Sequence, residues 1–381
     1  MREKIILQDF TVLLVCTSQK WSTVERRVLF DSTFLRNIGC NPIIFCQKGS
    51  QLDKAAESED IPRFYIKKKK LDFYLGIQFL FELRSLIQEK RFDIVHCYTL
   101  SSAWVTSFIL QWDQKIPFFF TLNQNVNSFY QNLFAKWLLR RVDYIFTLSD
   151  EIKEFVEETF PVHSRKIVTL GGGLEVLKKA ARKEEVQTLG CIINDLNELK
   201  RLRYVIRTFR VLKKSHADTL GALELNIFLG PRIYQKDRFK KFLTEFDYEF
   251  YEGDIFLLSL EEKSYLLKNL DVFWGTAFDE PLNDYEIVCI MNEIPVLFPR
   301  TSMRQNLLFR LPWVGESYYQ GDIREAKTKL EKIINNYNVY RSSLADSSEK
   351  IQQYHGLDYY AEQLQRFYEK AFSKRRIAAD K

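Results

Sequence analysis

Asp271–Pro299, DVFWGTAFDEPLNDYEIVCIMNEIPVLFP, is the stretch from which the rest of the chain can be read. Asp271 to Trp274 is a short apolar run of the kind a buried strand makes, and Phe278 to Asp284 is an acidic loop. Tyr285 to Asn292 follows as a helix, and Ile294 to Phe298 as a second apolar strand. Strand, loop, helix and strand in so short a span form a βαβ unit. In sheets built from such units, ligands sit at the carboxyl ends of the strands. There the free N–H groups and the dipole of a helix start favour anions. Glu280 stands at that mouth.

Working outward, the same alternation continues on both sides. Gln187–Ile193 (QTLGCII) is a strand, Asp195–Lys214 a loop and helix, and Leu225–Gly230 (LNIFLG) a strand ending in glycine. Beyond Pro299 come Pro312–Glu316, a helix over Ile323–Tyr337 and a last helix, Gly356–Phe372; the basic tail Ser373–Lys381 reads as disordered. The first half opens with the strand Phe10–Cys16, a helix over Val24–Ile38, a stop at Gly39 and the strand Pro42–Cys46. Phe92–Tyr98 (FDIVHCY), Pro117–Thr121 and Val142–Leu148 are further strands. The triplet Gly171–Gly173 reads either as a phosphate loop or as a hinge. It does not open a helix in the G-x-G-x-x-G manner, which favours a hinge or turn. The charged segment Leu177–Glu185 then serves as a linker.

Composition sets the bounds. A chain of 381 residues is long enough for two domains, each with its own core. Apolar content of 46% with 28% charged residues is globular. The net charge of +6 suits a nucleotide diphosphate or an anionic membrane surface, and is too diffuse to point to nucleic acid. Six cysteines without C-x-x-C spacing read as reduced core thiols, and four scattered histidines make no zinc pattern. Neither a signal peptide nor a membrane-length apolar run is present, so a cytoplasmic protein is expected, peripheral at the inner face of the membrane. Two basic stretches bear on that last point. Lys67–Lys70 and Lys136–Arg141 (KWLLRR) are either solvated charge or a basic collar on an anionic bilayer.

The order and spacing of these motifs resemble the retaining family 4 glycosyltransferases. Those enzymes have the GT-B fold, two Rossmann-like α/β domains facing each other across a cleft with a C-terminal helix crossing back. The resemblance runs over nearly the whole chain. It implies an acceptor-side domain over 1–176, a linker over 177–185, a nucleotide-sugar domain over 186–355, a closing helix over 356–372 and a tail over 373–381. In the family's donor segment, Glu-Gly-Phe-Gly is followed by Glu-Ala-Met and Leu-Pro-Val. Glu280 falls on the first Glu, which holds the donor sugar, and Ile294-Pro295-Val296 on the Leu-Pro-Val run. The second Glu, the ribose ligand, falls on Val288, and the glycines fall on Pro281 and Asn283. Asp284 brings a negative charge to the helix start, and Glu286, about 200° around a helix from position 288, does not substitute for the missing acid.

The resemblance also implies roles elsewhere. His96 matches the first His of Asp-Ile-Val-His-x-His and is taken as catalytic with Glu280, beside the plainer reading of a satisfied structural histidine at a strand end; Tyr98 replaces the second. Asn123 stands in the region of the donor-contacting His, Lys200 on the phosphate-binding Lys, and Arg201 beside it. Gly230 occupies the nucleotide-binding turn and Gly173 the retained glycine that closes the first domain. The first loop, Gly-Gly-Ala-Glu in the family, is Ser22-Thr23-Val24-Glu25 here, where every side chain narrows the approach to backbone. No metal or bound cofactor is implied. The donor, a UDP- or GDP-linked sugar, is a substrate. Two readings stand: a retaining hexosyltransferase that moves a sugar from a nucleotide to a lipid-linked or cell-envelope glycan, or a catalytically inactive relative that binds a glycan or a partner protein.

Overall fold

The computed structural model describes residues 9–19, 23–66, 72–122, 133–174, 185–193, 199–230, 254–259, 270–277 and 282–379. The chain divides into two compact units, Met1–Gly173 with Leu357–Lys381, and Leu174–Gly356.

The first unit is built on a parallel sheet of seven described strands. They are β1 (Thr11–Cys16), β2 (Asn41–Gln47), β3 (Arg63–Ile66), β4 (Ile94–Cys97), β5 (Phe118–Leu122), β6 (Tyr144–Thr147) and β7 (Ile167–Thr169). Their order is β3-β2-β1-β4-β5-β6-β7, so the direction of winding reverses between β1 and β4. Val12 pairs with Pro42 on one side and Ile94 on the other. Right-handed crossovers place the helices Thr23–Asn37 and Gln51–Ser58 on one face, and Asp72–Glu89, Leu100–Leu110, Leu133–Leu139 and Asp150–Thr159 on the other. That leaves the first face bare over β4 to β6. The closing helix, Leu357–Ala379, covers it: Tyr360, Leu364 and Tyr368 share a core with Val28, Phe119 and Phe146.

One expectation is corrected here. The basic tail expected to be disordered continues the closing helix through Ala379. Its charge has a partner, because Arg375 donates to both oxygens of Asp143, at 2.8 Å from Nη2 to Oδ1 and 3.3 Å from Nε to Oδ2.

The second unit holds a parallel sheet of six described strands. They are β8 (Thr188–Ile193), β9 (Glu224–Leu229), β10 (Ile255–Ser259), β11 (Val272–Trp274), β12 (Val296–Pro299) and β13 (Gly315–Tyr318), in the order β10-β9-β8-β11-β12-β13. The winding reverses between β8 and β11. The decisive stretch forms as read, β11, then the helix Asp284–Met291, then β12. Strands buried on both faces must be apolar throughout, and VFW and VLFP meet that demand. Backbones also approach closely at Gly315, where a Cβ would fall 1.7 Å from the Val296 carbonyl oxygen. Of the expected linker, 177–185, residues 177–184 lie outside the described residues.

Candidate functional site

The winding reversal in each sheet opens a crevice at the carboxyl ends of the flanking strands, and side chains there are the first candidates for ligand contact. In the second unit that crevice lies beyond Ile193 of β8 and Trp274 of β11. Gly230, at the end of β9, donates its N–H to the Ile193 carbonyl at 2.9 Å, so its backbone runs along the crevice edge. Two helices start there. The helix Leu199–Ser215 follows β8 and carries no acid in its first turn. Lys200, in that turn, is exposed and has no ion-pair partner among the described residues. Arg201 beside it is half-buried and already engaged.

The helix Asp284–Met291 starts differently. Asn283 accepts a hydrogen bond from the Glu286 N–H at 2.8 Å, and the Glu286 carboxylate accepts from the Asn283 N–H at 3.0 Å. This reciprocal cap satisfies two otherwise unpaired donors. With Asp284 in its first turn as well, this helix start is occupied by acids.

Glu286 does more than cap. Arg304 Nη2 donates to its two oxygens at 3.1 and 3.0 Å, and both side chains are fully buried. A Cβ on Gly275 would lie 2.4 Å from Glu286 Oε1, so the end of β11 rests against the same carboxylate. Glu286 thus joins the end of β11, the start of its own helix and the helix Ser302–Arg310. The two residues that separate it from position 288 matter as the sequence indicated. Val288 itself requires a correction: it is buried among Tyr285, Ile287, Cys289 and Leu344, an apolar side chain inside the core with no face for a donor. Glu280 and Asn123 lie outside the described residues.

His96, expected to be catalytic, is also corrected. It is wholly buried on β4, with Nδ1 2.7 Å from the Tyr368 hydroxyl and 3.2 Å from that of Tyr98, and Nε2 2.7 Å from Thr121 Oγ1. Burial, with the nearby Arg27 cation, holds its pKa well below the ordinary histidine value. Such a ring stays neutral, exchanges no proton with solvent and ties β4 and β5 to the closing helix. Beside it, Tyr98 and Tyr360 donate to the two oxygens of Asp31 at 2.6 and 2.8 Å. Arg27 pairs with Asp31 at 3.1 Å, stacks over the Tyr360 ring at 3.6 Å and donates to the Gly172 carbonyl. Gly173 sits against this network with a φ of +59°, where a Cβ would come within 2.9 Å of the Tyr360 ring. Packing and a left-handed backbone account for that glycine, and both belong to the turn reading of the triplet.

In the first unit the crevice lies beyond β1 and β4. Thr17 Oγ1 is 3.2 Å from both Thr99 Oγ1 and Ser101 Oγ, at the start of the helix Leu100–Leu110. This cluster of hydroxyls, half-buried at Thr17 and Thr99 and exposed at Ser101, was missed in the sequence. The strand ends were legible, but the strand order that brings residues 17 and 99 together was not.

Comparison with known proteins agrees with this architecture. Residues 24–176 match the family model Glycosyltransferase Family 4. Among curated proteins none matches the sequence. Among solved structures, a glycosyltransferase from Rickettsia africae is similar with a TM-score of 0.71 at 15% identity, over 95% of this chain and 98% of that one. Sucrose-phosphate synthase from Thermosynechococcus elongatus has a TM-score of 0.71 at 12% identity, over 96% of this chain and 100% of that one. Anabaena Alr3699/HepE in complex with UDP and glucose has a TM-score of 0.67 at 12% identity, over 93% and 97%. At such identities the likeness is one of fold, and the fold is GT-B. Among the described residues, no helix is long and apolar enough to cross a membrane.

Proposed function

We propose, from the premise that a GT-B chain with a Glycosyltransferase Family 4 domain over residues 24–176 is a glycosyltransferase, that this one transfers a hexose from a nucleotide sugar to a lipid-linked or cell-envelope glycan with retention at the anomeric carbon. The reaction needs charge stabilisation on the departing diphosphate, and one correctly placed cation or donor contributes about 3 kcal/mol to such a transition state. Lys200 is the observation that carries the reading: an exposed ammonium in the first turn of Leu199–Ser215, at the winding reversal, in a turn that itself holds no acid. Gly230 lets the nucleotide approach backbone beside it, with Arg201 adjacent. Asn283, whose side-chain oxygen is taken by the cap, offers its amide N–H groups to the donor, while Asp284 keeps the phosphates away from that helix. Glu280 holds the sugar. The hydroxyls of Thr17, Thr99 and Ser101 face the acceptor.

A UDP-linked donor is favoured over a GDP-linked one, because the similar Anabaena structure was determined with UDP and glucose. The enzyme works in the cytoplasm, peripheral at an anionic membrane face. Calorimetric titration with UDP, GDP and their sugars tests the proposal. Saturable binding is expected, weakened roughly tenfold in Lys200→Ala. A folded protein that binds none of them would refute the transferase reading and leave a non-catalytic glycan- or partner-binding module.

A further inference from the structure

The outward side of the first unit carries aromatic rings that its core does not use. Trp112 is 73% exposed and Trp137 39% exposed. With the half-buried Phe108 they form one cluster. Phe108 packs edge-on against Trp112 at 5.3 Å and Trp137 at 6.3 Å, and the two indoles lie 6.5 Å apart. The backbone bearing them is braced from inside. Arg141, itself buried, donates to the carbonyls of Leu110 at 2.7 Å, Asp113 at 2.9 Å and Ile116. Gln111 Nε2 adds a bond to the Trp137 carbonyl at 3.0 Å. An indole on a braced turn cannot fold back onto the core, so its apolar surface stays presented to solvent.

Three exposed cations frame the cluster: Lys115 three positions after Trp112, Lys136 next to Trp137, and Arg140 three positions beyond it. The one acid in these stretches, Asp113, is half-buried and accepts the Lys115 N–H at 3.0 Å. The basic stretch 136–141 read from the sequence is therefore redrawn. Leu138 and Leu139 belong to the core and Arg141 braces the turn. Lys136, Trp137 and Arg140 point outward, joined by Trp112 and Lys115 from a neighbouring segment.

We infer that this face docks on an anionic lipid bilayer, the indoles at headgroup level and the three cations against lipid phosphates. Indoles favour that depth because one end is apolar and the other carries an N–H, and each cation near an anionic surface adds attraction. A second copy of the chain fits less well, because a two-fold contact would set the three cations against their own counterparts. The inference deepens the lipid-linked acceptor reading and rests on it for its purpose, while its test needs no nucleotide.

Full-length protein is floated with vesicles of phosphatidylcholine, with and without phosphatidylglycerol, and light scattering records its mass. Wild type is expected to favour the anionic vesicles by about a hundredfold, lost at high salt. The Trp112→Ala/Trp137→Ala variant should lose roughly tenfold or more in partition. The Lys115→Ser/Lys136→Ser/Arg140→Ser variant should bind both vesicle types alike. Both variants should stay folded and keep the wild-type UDP titration, the cation variant with the wild-type melting temperature and the tryptophan variant with one lowered by its lost ring contacts to Phe108. Equal flotation of wild type and either variant overturns the inference. So does failure of wild type to float, or self-association that the tryptophan variant abolishes. Loss of UDP binding with flotation intact would instead refute the transferase reading alone.

Discussion

Arg304→Met is the perturbation that most directly tests how the second-unit site is supported. Arg304 and Glu286 are both fully buried, with Nη2 at 3.1 and 3.0 Å from the two carboxylate oxygens. Methionine keeps most of the apolar stem and removes the charge, leaving the Glu286 carboxylate inside the protein without its cation. Removing one member of a buried pair costs about 3–5 kcal/mol, most of it the penalty of the stranded charge. With a urea dependence of about 2 kcal/mol per molar, the second-unit transition should move down by roughly 2 M. Trp274 reports it, being buried in that unit at 6.2 Å from the Tyr318 ring. The two units need not unfold together, so the midpoint of this transition is the quantity to compare. Adding Glu286→Gln removes the stranded charge while the amide oxygen still accepts from the Asn283 N–H. The double variant should therefore recover at least about 1 kcal/mol relative to Arg304→Met. A single variant within about 0.5 M of wild type would refute the reasoning. A double variant less stable than the single would refute it equally.

Other outcomes follow from the first unit. The pKa of His96 is depressed in the folded state, so below about pH 6.5 the unfolded chain takes up a proton that the buried ring refuses. Stability should fall as the pH drops through that range, and His96→Gln should remove this part of the slope in urea titrations at several pH values; parallel slopes would count against it. Tyr360→Phe deletes one donor to Asp31 and should cost about 1.5–3 kcal/mol in first-unit stability, with little change in UDP affinity by calorimetry. All six cysteines are buried free thiols, and burial pushes Cys46 and Cys97 up to about 12. Native protein should resist iodoacetamide and label fully only in denaturant, as mass spectrometry would count.

What was legible in the sequence is what depends on local pattern. A parallel strand covered on both faces must be apolar at successive positions, so FTVLLVC, FDIVHCY and DVFW read as strands without knowledge of their neighbours. Gly230 could be placed at a strand end for the same reason, whereas Lys200 was placed by the family resemblance. Partners distant in sequence were not legible. His96 meets Tyr368 across 272 residues and Thr121 across 25, and nothing in FDIVHCY separates a histidine sealed by those two hydroxyls from one open to substrate. The closing helix was read as ending at Phe372, because a run of basic residues looks solvated until Asp143 is known to face Arg375.

The loss of the second acid of the donor motif takes a different meaning once Glu286 is placed. A buried carboxylate that caps a helix, takes an arginine and supports the end of β11 fixes the helix start whether or not a ribose is present. Val288, pointing into the core two residues on, adds apolar contact where a ligand-binding acid would need a water-accessible face. The two positions therefore act together: this helix start is held by the protein itself, and under the proposed reading the nucleotide is gripped from the other side of the crevice. Lys200 is on that side, on the helix start with no acid in its first turn. If a donor binds this chain, its affinity should respond to substitution at Lys200 far more than at position 288. Val288→Ala should change stability, through the methyl groups lost from the core, before it changes nucleotide affinity. The reverse ranking in paired calorimetric and urea titrations would mean that the ribose side of the crevice still makes the principal contact.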